Sequence, residues 1–193
     1  MRRAVAAIEC AATWMPEATS FPSMSDFLPD ADRHALGLDQ LERSLREHLR
    51  AGVELTLRVQ RCVEAIALAF DARTCTFHEH DPLRPLLHLR AQVGLPAHIA
   101  EITRTIPVGK GMAGICAERR EPVTVCNLQT DSSGVARPAA RDTKVAGALV
   151  VPVLDGDRVL ATLGVGKAAD HDYSDDEIRT LERCGIVLAE SLR

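Results

Sequence analysis

Aromatic side chains are scarce in this sequence and make up 3% of its 193 residues. Proteins that bind single-stranded nucleic acid stack the bases on aromatic rings, so the composition disfavours that class. Basic residues are not in excess either, because 23 lysines and arginines stand against 27 aspartates and glutamates and give a net charge of −4. A protein that follows a phosphate backbone needs the opposite balance. We therefore predict no nucleic-acid partner.

Long apolar runs are also missing. No stretch approaches the ~20 apolar residues that span a bilayer, so no membrane partner is predicted. The basic N-terminus and its alanine-rich run to Trp14 faintly resemble a secretory signal, but Glu9 interrupts the run and no convincing cleavage site follows. We expect a cytoplasmic protein in which residues 1–38 form a flexible tail. Residues 1–23 are either part of that tail or the result of a start codon assigned too early, with Met24 as the alternative start.

The six cysteines are Cys10, Cys62, Cys75, Cys116, Cys126 and Cys184. They form neither a C-x-x-C pair nor, with histidine, the spacing of a zinc site. Scattered cysteines in a chain of this length are usually small buried side chains in a reducing compartment. His78, His80 and His88 fall on neighbouring predicted strands and, with Glu79 or Asp81, could bind a metal ion. Exposed or edge-strand histidines are far commoner, so we predict no metal site and no cofactor.

Residues 39–193 carry the patterns of one folded domain. Asp39 and Glu42 have the spacing of a capping box and predict the start of a helix. A second capping box, Ser174 with Glu177, precedes an apolar seam with spacings of three and four, namely Ile178, Leu181, Gly185, Leu188 and Leu192. Such terminal helices can pack together behind a sheet or join two copies of the chain.

Short extended segments lie between the helices. The segments 145–154 and 158–166 are apolar at successive positions and are joined by Asp155 and Gly156. This pattern predicts a hairpin in a sheet that is covered on both faces. Residues 127–143 are rich in Ser, Asp, Gly and Pro and are predicted to form a long functional loop.

Gly109, Gly111 and Gly114 form a G-x-G-x-x-G pattern between a predicted strand and a helix. This is formally the dinucleotide fingerprint, but the strands are predicted to pair as hairpins, whereas that fingerprint needs a parallel βαβ unit. We therefore interpret the glycines as a turn. We rank the binding of an anion at the N-terminus of the following helix below this interpretation.

The order of these elements, together with particular residues, resembles the GAF family. The residues are Ile106-Pro107-Val108-Gly109-Lys110-Gly111-Met112-Ala113-Gly114, Glu121-Pro122-Val123, Asn127, Asp131, Leu149-Val150-Val151-Pro152-Val153, Leu163-Gly164-Val165 and Tyr173-Ser174. The similarity covers roughly residues 50–193. It implies an α+β fold with an antiparallel sheet of about five or six strands. Terminal helices would pack on one face, and short helices and loops would enclose a ligand pocket on the other.

The resemblance also implies a function. Family members bind cyclic nucleotides, bilins, haem, amino-acid-like metabolites or small anions. We expect a sensory module with a non-covalent small-molecule or anion ligand that acts through a sensor kinase, another regulator or a homodimer joined by its terminal helices. The stand-alone nitrate-sensing receptors that act on a sensor kinase are the nearest parallel. The candidate ligand-binding residues are Thr76, His78, Ile99, Ile106, Met112, Asn127, Asp131 and Gly147. Gly147 stands where many relatives carry Ser, which leaves more room or removes a hydrogen bond.

Two alternatives remain open. The chain also resembles the free methionine-(R)-sulfoxide reductases, whose thiol chemistry needs a nucleophilic and a resolving cysteine. At the three positions where that family carries cysteine, this chain has Thr103, Ala113 and the loop residues 135–138. Cys116 and Cys126 are nearby but displaced. The second alternative is a domain that binds no ligand and serves as a dimerisation scaffold.

Overall fold

The computed structural model describes residues 30–135 and 138–192, with side chains from residue 37 onward except at 136–140. The chain divides into two units, Met1–Ala35 and Leu36–Arg193, and every contact below lies within the second. The predicted tail, residues 1–38, lies mostly outside the described residues and stays a prediction. Residues 30–38 are helical.

The described residues form five α-helices and six strands. The helices are α1 (Asp30–Arg50), α2 (Leu55–Ala69), α3 (Ala97–Ile102), α4 (Gly111–Arg119) and α5 (Asp175–Ala189). The strands are β1 (Thr74–His80), β2 (Leu86–Val93), β3 (Thr105–Pro107), β4 (Val123–Val125), β5 (Ala148–Asp155) and β6 (Arg158–Gly166). A 3-10 turn spans Pro138–Thr143. No helix in this part of the chain is long and apolar enough to cross a bilayer.

One sheet contains all six strands in the order β3-β2-β1-β6-β5-β4. Every neighbouring pair is antiparallel. The predicted α+β fold with an antiparallel sheet is confirmed.

The hairpin of β5 and β6 is buried on both faces. Six consecutive residues of β5 and seven of β6 are buried. Because side chains alternate along a strand, Leu163 and Val165 reach the main core while Thr162 and Gly164 face the other side. Gly156 supplies the positive φ, 58°, that the connecting turn requires. The prediction of a doubly covered hairpin is confirmed.

Helices α1, α2 and α5 cover one face of the sheet. Their apolar stripes meet in a single core, and the helix residues in it that are 0% exposed are Leu45, Cys62, Val63, Ile66, Leu181, Cys184 and Leu188. The seam predicted for the last helix contains Leu181 and Leu188, since residues three and four apart share one face of a helix.

The predicted start of the first helix at Asp39 is wrong, because α1 begins nine residues earlier at Asp30. Asp39 and Glu42 serve a different purpose. The Arg183 guanidinium on α5 lies 2.6 Å from a Glu42 carboxylate oxygen and 3.8 Å from one of Asp39. The acidic pair therefore joins the two terminal helices, a contact that local sequence spacing does not reveal.

The second capping box is confirmed. The Ser174 hydroxyl accepts the Glu177 N–H at 3.3 Å, and the Glu177 carboxylate accepts the Ser174 N–H at 2.9 Å. These bonds satisfy donors that the first turn of α5 would otherwise leave open.

We predict that Leu181→Ala lowers the free energy of unfolding by about 2–5 kcal/mol, because the leucine is fully buried between α5 and the sheet. Urea denaturation followed by circular dichroism measures the change. The control is Leu68→Ala on α2, where the side chain is 85% exposed and the change should stay within about 0.5 kcal/mol. Equal effects of the two substitutions would contradict the assignment of the core.

Candidate functional site

A cavity of about 160 Å³ opens on the face of the sheet opposite to α1, α2 and α5. Strands β1 and β5 form its floor, and α3, the N-terminal end of α4 and the 3-10 turn form its walls. Its described lining residues are Thr76, His78, Leu95, Ile99, Ile102, Thr103, Ile106, Lys110, Gly111, Met112, Ala113, Thr143 and Val150. We call this the sheet cavity.

Five of the eight candidate ligand-binding residues come together in the sheet cavity: Thr76, His78, Ile99, Ile106 and Met112. Thr76 and His78 are two apart on β1 and so point to the same face of the sheet. The intervening Phe77 is 1% exposed and belongs to the helical core. Their role in ligand binding stays a prediction.

His78 is the most buried polar group of the lining, with 3% of its surface exposed. Its Nε2 lies 3.1 Å from the Thr103 carbonyl oxygen, so this nitrogen carries the proton and donates. Burial lowers the pKa of His78 to about 4, although the hydrogen bond to Thr103 opposes the shift. The ring is therefore neutral at pH 7, and Nδ1 is an acceptor.

The His78 Nδ1 atom has no hydrogen-bond partner among the described residues. An unpaired buried acceptor costs about 1–3 kcal/mol. Native proteins seldom leave such a group without a partner, and water or a ligand often supplies one.

Asn127 and Asp131 do not line the sheet cavity. The Asn127 side-chain oxygen accepts the Gln129 N–H at 2.7 Å, and its amide donates to Asp170 at 2.7 Å. Asp131 accepts from the backbone and hydroxyl of Ser133. These groups stabilise turns in the long loop, and the geometry gives no support to their predicted ligand-binding role.

Gly147 also lies outside the cavity lining. A Cβ atom at this position would lie 2.6 Å from His171 Cβ and 2.9 Å from His171 N. The Gly147 N–H donates to Ala169 O at 3.0 Å, and its carbonyl accepts from Lys167 N at 2.7 Å. Glycine is thus needed where the segment after β6 packs closely. The expectation that it makes room for a ligand is not supported.

Several lining residues were absent from the candidate set: Leu95, Ile102, Thr103, Lys110, Gly111, Ala113, Thr143 and Val150. Alternation along β5 identifies Val150, whose neighbours Leu149 and Val151 reach the helical core. Lys110 has no comparable signal, because its place at the rim follows from the turn that precedes α4.

The glycine turn is confirmed as a structural feature. Gly109 and Gly111 have φ values of 80° and 64°, which favour glycine. A Cβ at Gly114 would lie 2.3 Å from the Pro107 carbonyl oxygen, so the helix packs directly on β3. Because all strand pairs in the described sheet are antiparallel, the parallel unit of a dinucleotide site is not formed there.

The described cysteines lie outside the sheet-cavity lining. Cys62, Cys75, Cys116 and Cys184 are buried, as predicted, and burial raises the pKa of Cys116 to about 12. Cys126 is exposed, contrary to the expectation, and its hydrogen bond to Asp172 is the largest cause of a raised pKa. Cys10 lies outside the described residues. No three His, Cys, Asp or Glu side chains in the described ranges form a metal-binding group.

The sequence model of the GAF domain family matches residues 57–188, well over half of the chain. The chain belongs to the GAF domain family. The comparison with curated proteins found no significant match to this chain.

Solved structures share the GAF fold at low sequence identity. The GAF domain of a phosphoenolpyruvate-protein phosphotransferase from Coxiella burnetii has a TM-score of 0.71 and 20% identity, with 81% of this chain and 93% of that chain covered. The free methionine-R-sulfoxide reductase of Neisseria meningitidis, in complex with its substrate, has a TM-score of 0.68 and 16% identity, with 86% of this chain and 91% of that chain covered. A putative GAF sensor protein from Burkholderia vietnamiensis has a TM-score of 0.67 and 19% identity, with 81% of this chain and 94% of that chain covered.

We predict that the buried neutral state of His78 makes stability depend on pH. Its pKa in the folded state, about 4, is below the ordinary value of 6.5, so the unfolded chain binds the extra proton first as the pH falls. The free energy of unfolding should therefore fall by about 1.4 kcal/mol per pH unit between pH 6.5 and pH 4 on this account.

Urea denaturation at several pH values tests this dependence. His78→Leu should remove this part of the slope, whereas the control His98→Leu removes an imidazole whose side chain is 62% exposed. An unchanged slope in His78→Leu would show that other groups cause the dependence.

Proposed function

We propose that this GAF domain is a sensory module that binds a small molecule in the sheet cavity. The observation that carries the proposal is the cavity itself, which has an apolar wall, a few polar groups and, at its floor, a buried acceptor that lacks a partner among the described residues. Ligand sites are usually concave and mostly apolar, with a small number of polar groups that orient the ligand. The cavity also argues against a scaffold that binds nothing.

The volume of the sheet cavity limits the ligand. At about 160 Å³ it is close to the engineered cavity of 150 Å³ that accepts benzene, and it lies below the usual 300–1,000 Å³ of drug-sized sites. We therefore infer a compact metabolite rather than a cyclic nucleotide.

The sheet supplies a connection between the cavity and the terminal helices. Strands β1 and β5 carry cavity residues on one face and core residues on the other, so a ligand and the helices contact the same strands. Helices α1 and α5 are tied by the pair Arg183–Glu42 and by a second pair, Arg46–Glu190. We propose that occupancy is transmitted through these helices to a partner, either a sensor kinase or other regulator, or a second copy of the chain. The exposed Ile186 on α5 supports a contact surface there.

The reductase alternative is testable at particular positions. Thr103 and Ala113 stand where the reductases carry cysteine, and both line the sheet cavity. The cavity thus occupies the corresponding part of the fold, but these two positions supply no thiol. The buried cysteines are held as thiols by their raised pKa, which disfavours nucleophilic attack. We therefore favour a sensor over an enzyme.

We predict that Ala113→Phe abolishes ligand binding, because the added ring fills much of the sheet cavity. A thermal-shift screen against anions, amino acids, nucleotides and small organic acids identifies ligands. At 100 times its Kd, a ligand should raise the free energy of unfolding by about 2.7 kcal/mol. Ala97→Phe places the same ring at an exposed position on α3 and should keep the response. A response that survives in Ala113→Phe would place the ligand elsewhere.

Reduction of methionine sulfoxide by the wild-type chain with an added thiol reductant is measured in parallel. The proposal expects no turnover. Turnover that is lost in Cys126→Ser, the variant of the exposed cysteine, would overturn the sensor in favour of the reductase.

A further inference from the structure

A second cavity, of about 360 Å³, is lined by residues of the helices α1 and α2 and of the segment that follows α5. Its described lining residues are Arg46, Leu49, Arg50, Arg58, Glu190 and Ser191. The first three belong to α1, the fourth belongs to α2, and the last two follow the end of α5. We call this the helix-junction cavity. It shares none of these residues with the sheet cavity, so a ligand bound here would occupy a separate site.

The helix-junction cavity carries an excess of positive charge. Three guanidinium groups and one carboxylate belong to its described lining, which leaves two positive charges unbalanced there. Glu190 is paired with Arg46, whereas Arg50 makes no ion pair with any described residue. An arginine does not lose its proton in a protein, so a change of protonation cannot relieve the repulsion among these groups. Because the net charge of the whole chain is −4, the excess is local and does not follow from the composition.

The fold brings the guanidinium groups of two helices to this cavity. Arg46 and Arg50 are four residues apart on α1 and are therefore neighbours on one face of that helix. Arg58 lies in the first turn of α2, and its Nη1 atom donates to the Leu49 carbonyl oxygen at 2.8 Å. This hydrogen bond holds the Arg58 side chain against the end of α1, across the short connection 51–54.

Arg58 gives an independent indication that a ligand completes the helix-junction cavity. Its Nε atom is buried and has no hydrogen-bond partner among the described residues. A buried donor without an acceptor is unfavourable, and in native proteins water or a ligand often supplies the partner. The Ser191 hydroxyl already donates to the Leu188 carbonyl oxygen at 2.7 Å, so the guanidinium groups provide the donors that remain. An anionic acceptor would satisfy both the open donor and the unbalanced charge.

The number of charges and donors selects the kind of anion. Guanidinium groups bind the oxygens of carboxylates and phosphates with pairs of parallel N–H donors. A phosphate monoester carries about two negative charges above its second pKa, near 6, and has three terminal oxygens. One such group matches both unbalanced charges, and its oxygens can accept from Arg50 on α1 and from Arg58 on α2. A monocarboxylate supplies a single charge and two oxygens.

The size of the helix-junction cavity leaves room for more than a phosphate group. Its volume of about 360 Å³ lies within the range of about 300–1,000 Å³ that is usual for small-molecule sites. An organic body attached to the phosphate therefore fits beside the arginines, where the buried Leu49 supplies an apolar contact.

We propose that the helix-junction cavity binds a small phosphorylated metabolite, with its phosphate group held by Arg50 and Arg58. This site is additional to the sensory site and does not depend on it. A phosphate bound there would contact α1 and α2 on either side of the connection 51–54 and so stabilise their junction. The metabolite would be a second input to the helices to which the transmission of the first signal is assigned above.

Three compounds with the same ring and different charge test the ligand class. The full chain is titrated by calorimetry at pH 8 and low ionic strength with phenyl phosphate, benzoate and phenol, which carry about two, one and no negative charges. We expect phenyl phosphate to bind about tenfold or more tightly than benzoate, and phenol not to bind. Equal affinities for phenyl phosphate and benzoate, or tighter binding of the dicarboxylate succinate, would overturn the proposal. The absence of phosphate binding would do so as well.

Inorganic phosphate is titrated in the same way to identify the source of the phosphate group. Tighter binding of phenyl phosphate than of the free ion supports a phosphorylated metabolite, because the organic body then adds to the affinity. Equal or tighter binding of inorganic phosphate would overturn the metabolite in favour of the free ion.

Arg50→Gln tests the position of the site. The side chain is exposed and has no described ion pair, so the variant should fold normally and lose about tenfold or more in affinity for phenyl phosphate. The control Arg43→Gln removes the same charge from an exposed position on α1 outside the lining and should retain the affinity. Equal losses in the two variants would indicate a general attraction to α1 and overturn the proposal. Loss of phosphate binding in Ala113→Phe would place the phosphate in the sheet cavity and overturn it as well.

Discussion

The burial of the β5–β6 hairpin on both faces is the constraint on which the rest of the structure depends. Two strands that are apolar at nearly every position need a cover on each side. The three long helices α1, α2 and α5 make one cover with continuous apolar stripes. The second cover consists of short pieces, α3, α4 and the 3-10 turn. The buried apolar residues on this side form three small clusters instead of one core, and α4 contributes to each of them. The sheet cavity lies among these pieces, so the candidate site is a result of how the second face is closed.

The sequence predicted those elements whose signal is local. Two segments that are apolar at successive positions, joined by Asp155 and Gly156, located the β5–β6 hairpin, and the capping box with its apolar seam located α5 and its buried face. The start of α1 was predicted wrongly because Asp39 and Glu42 mimic a helix cap, whereas in the fold they bind Arg183 on a helix more than 130 residues away. A pairing over that separation leaves no pattern in the spacing of nearby residues.

The candidate site also contains some residues that local sequence patterns predict and others that they do not. Thr76 and His78 were predicted because alternate residues of a strand share a face, and Met112 because it follows the glycine turn. Asn127 and Gly147 were chosen for their resemblance to family positions, yet their contacts are with Asp170 and with the segment 167–171. Family resemblance therefore indicated the part of the fold in which the cavity lies. The packing of the loops decides which of the candidate residues line the cavity and which hold the loops in place.

The two outer strands of the sheet have a further consequence. Strands β3 and β4 contain three residues each, and β3 ends in Pro107, which has no N–H to donate. A short outer strand offers few unpaired backbone groups to which another chain could add a strand. We expect the folded domain to resist fibril-like, edge-to-edge assembly at high concentration. Any oligomer that it forms should be joined by side chains of its helices, so its dissociation should respond to salt and to surface substitutions and leave the sheet intact.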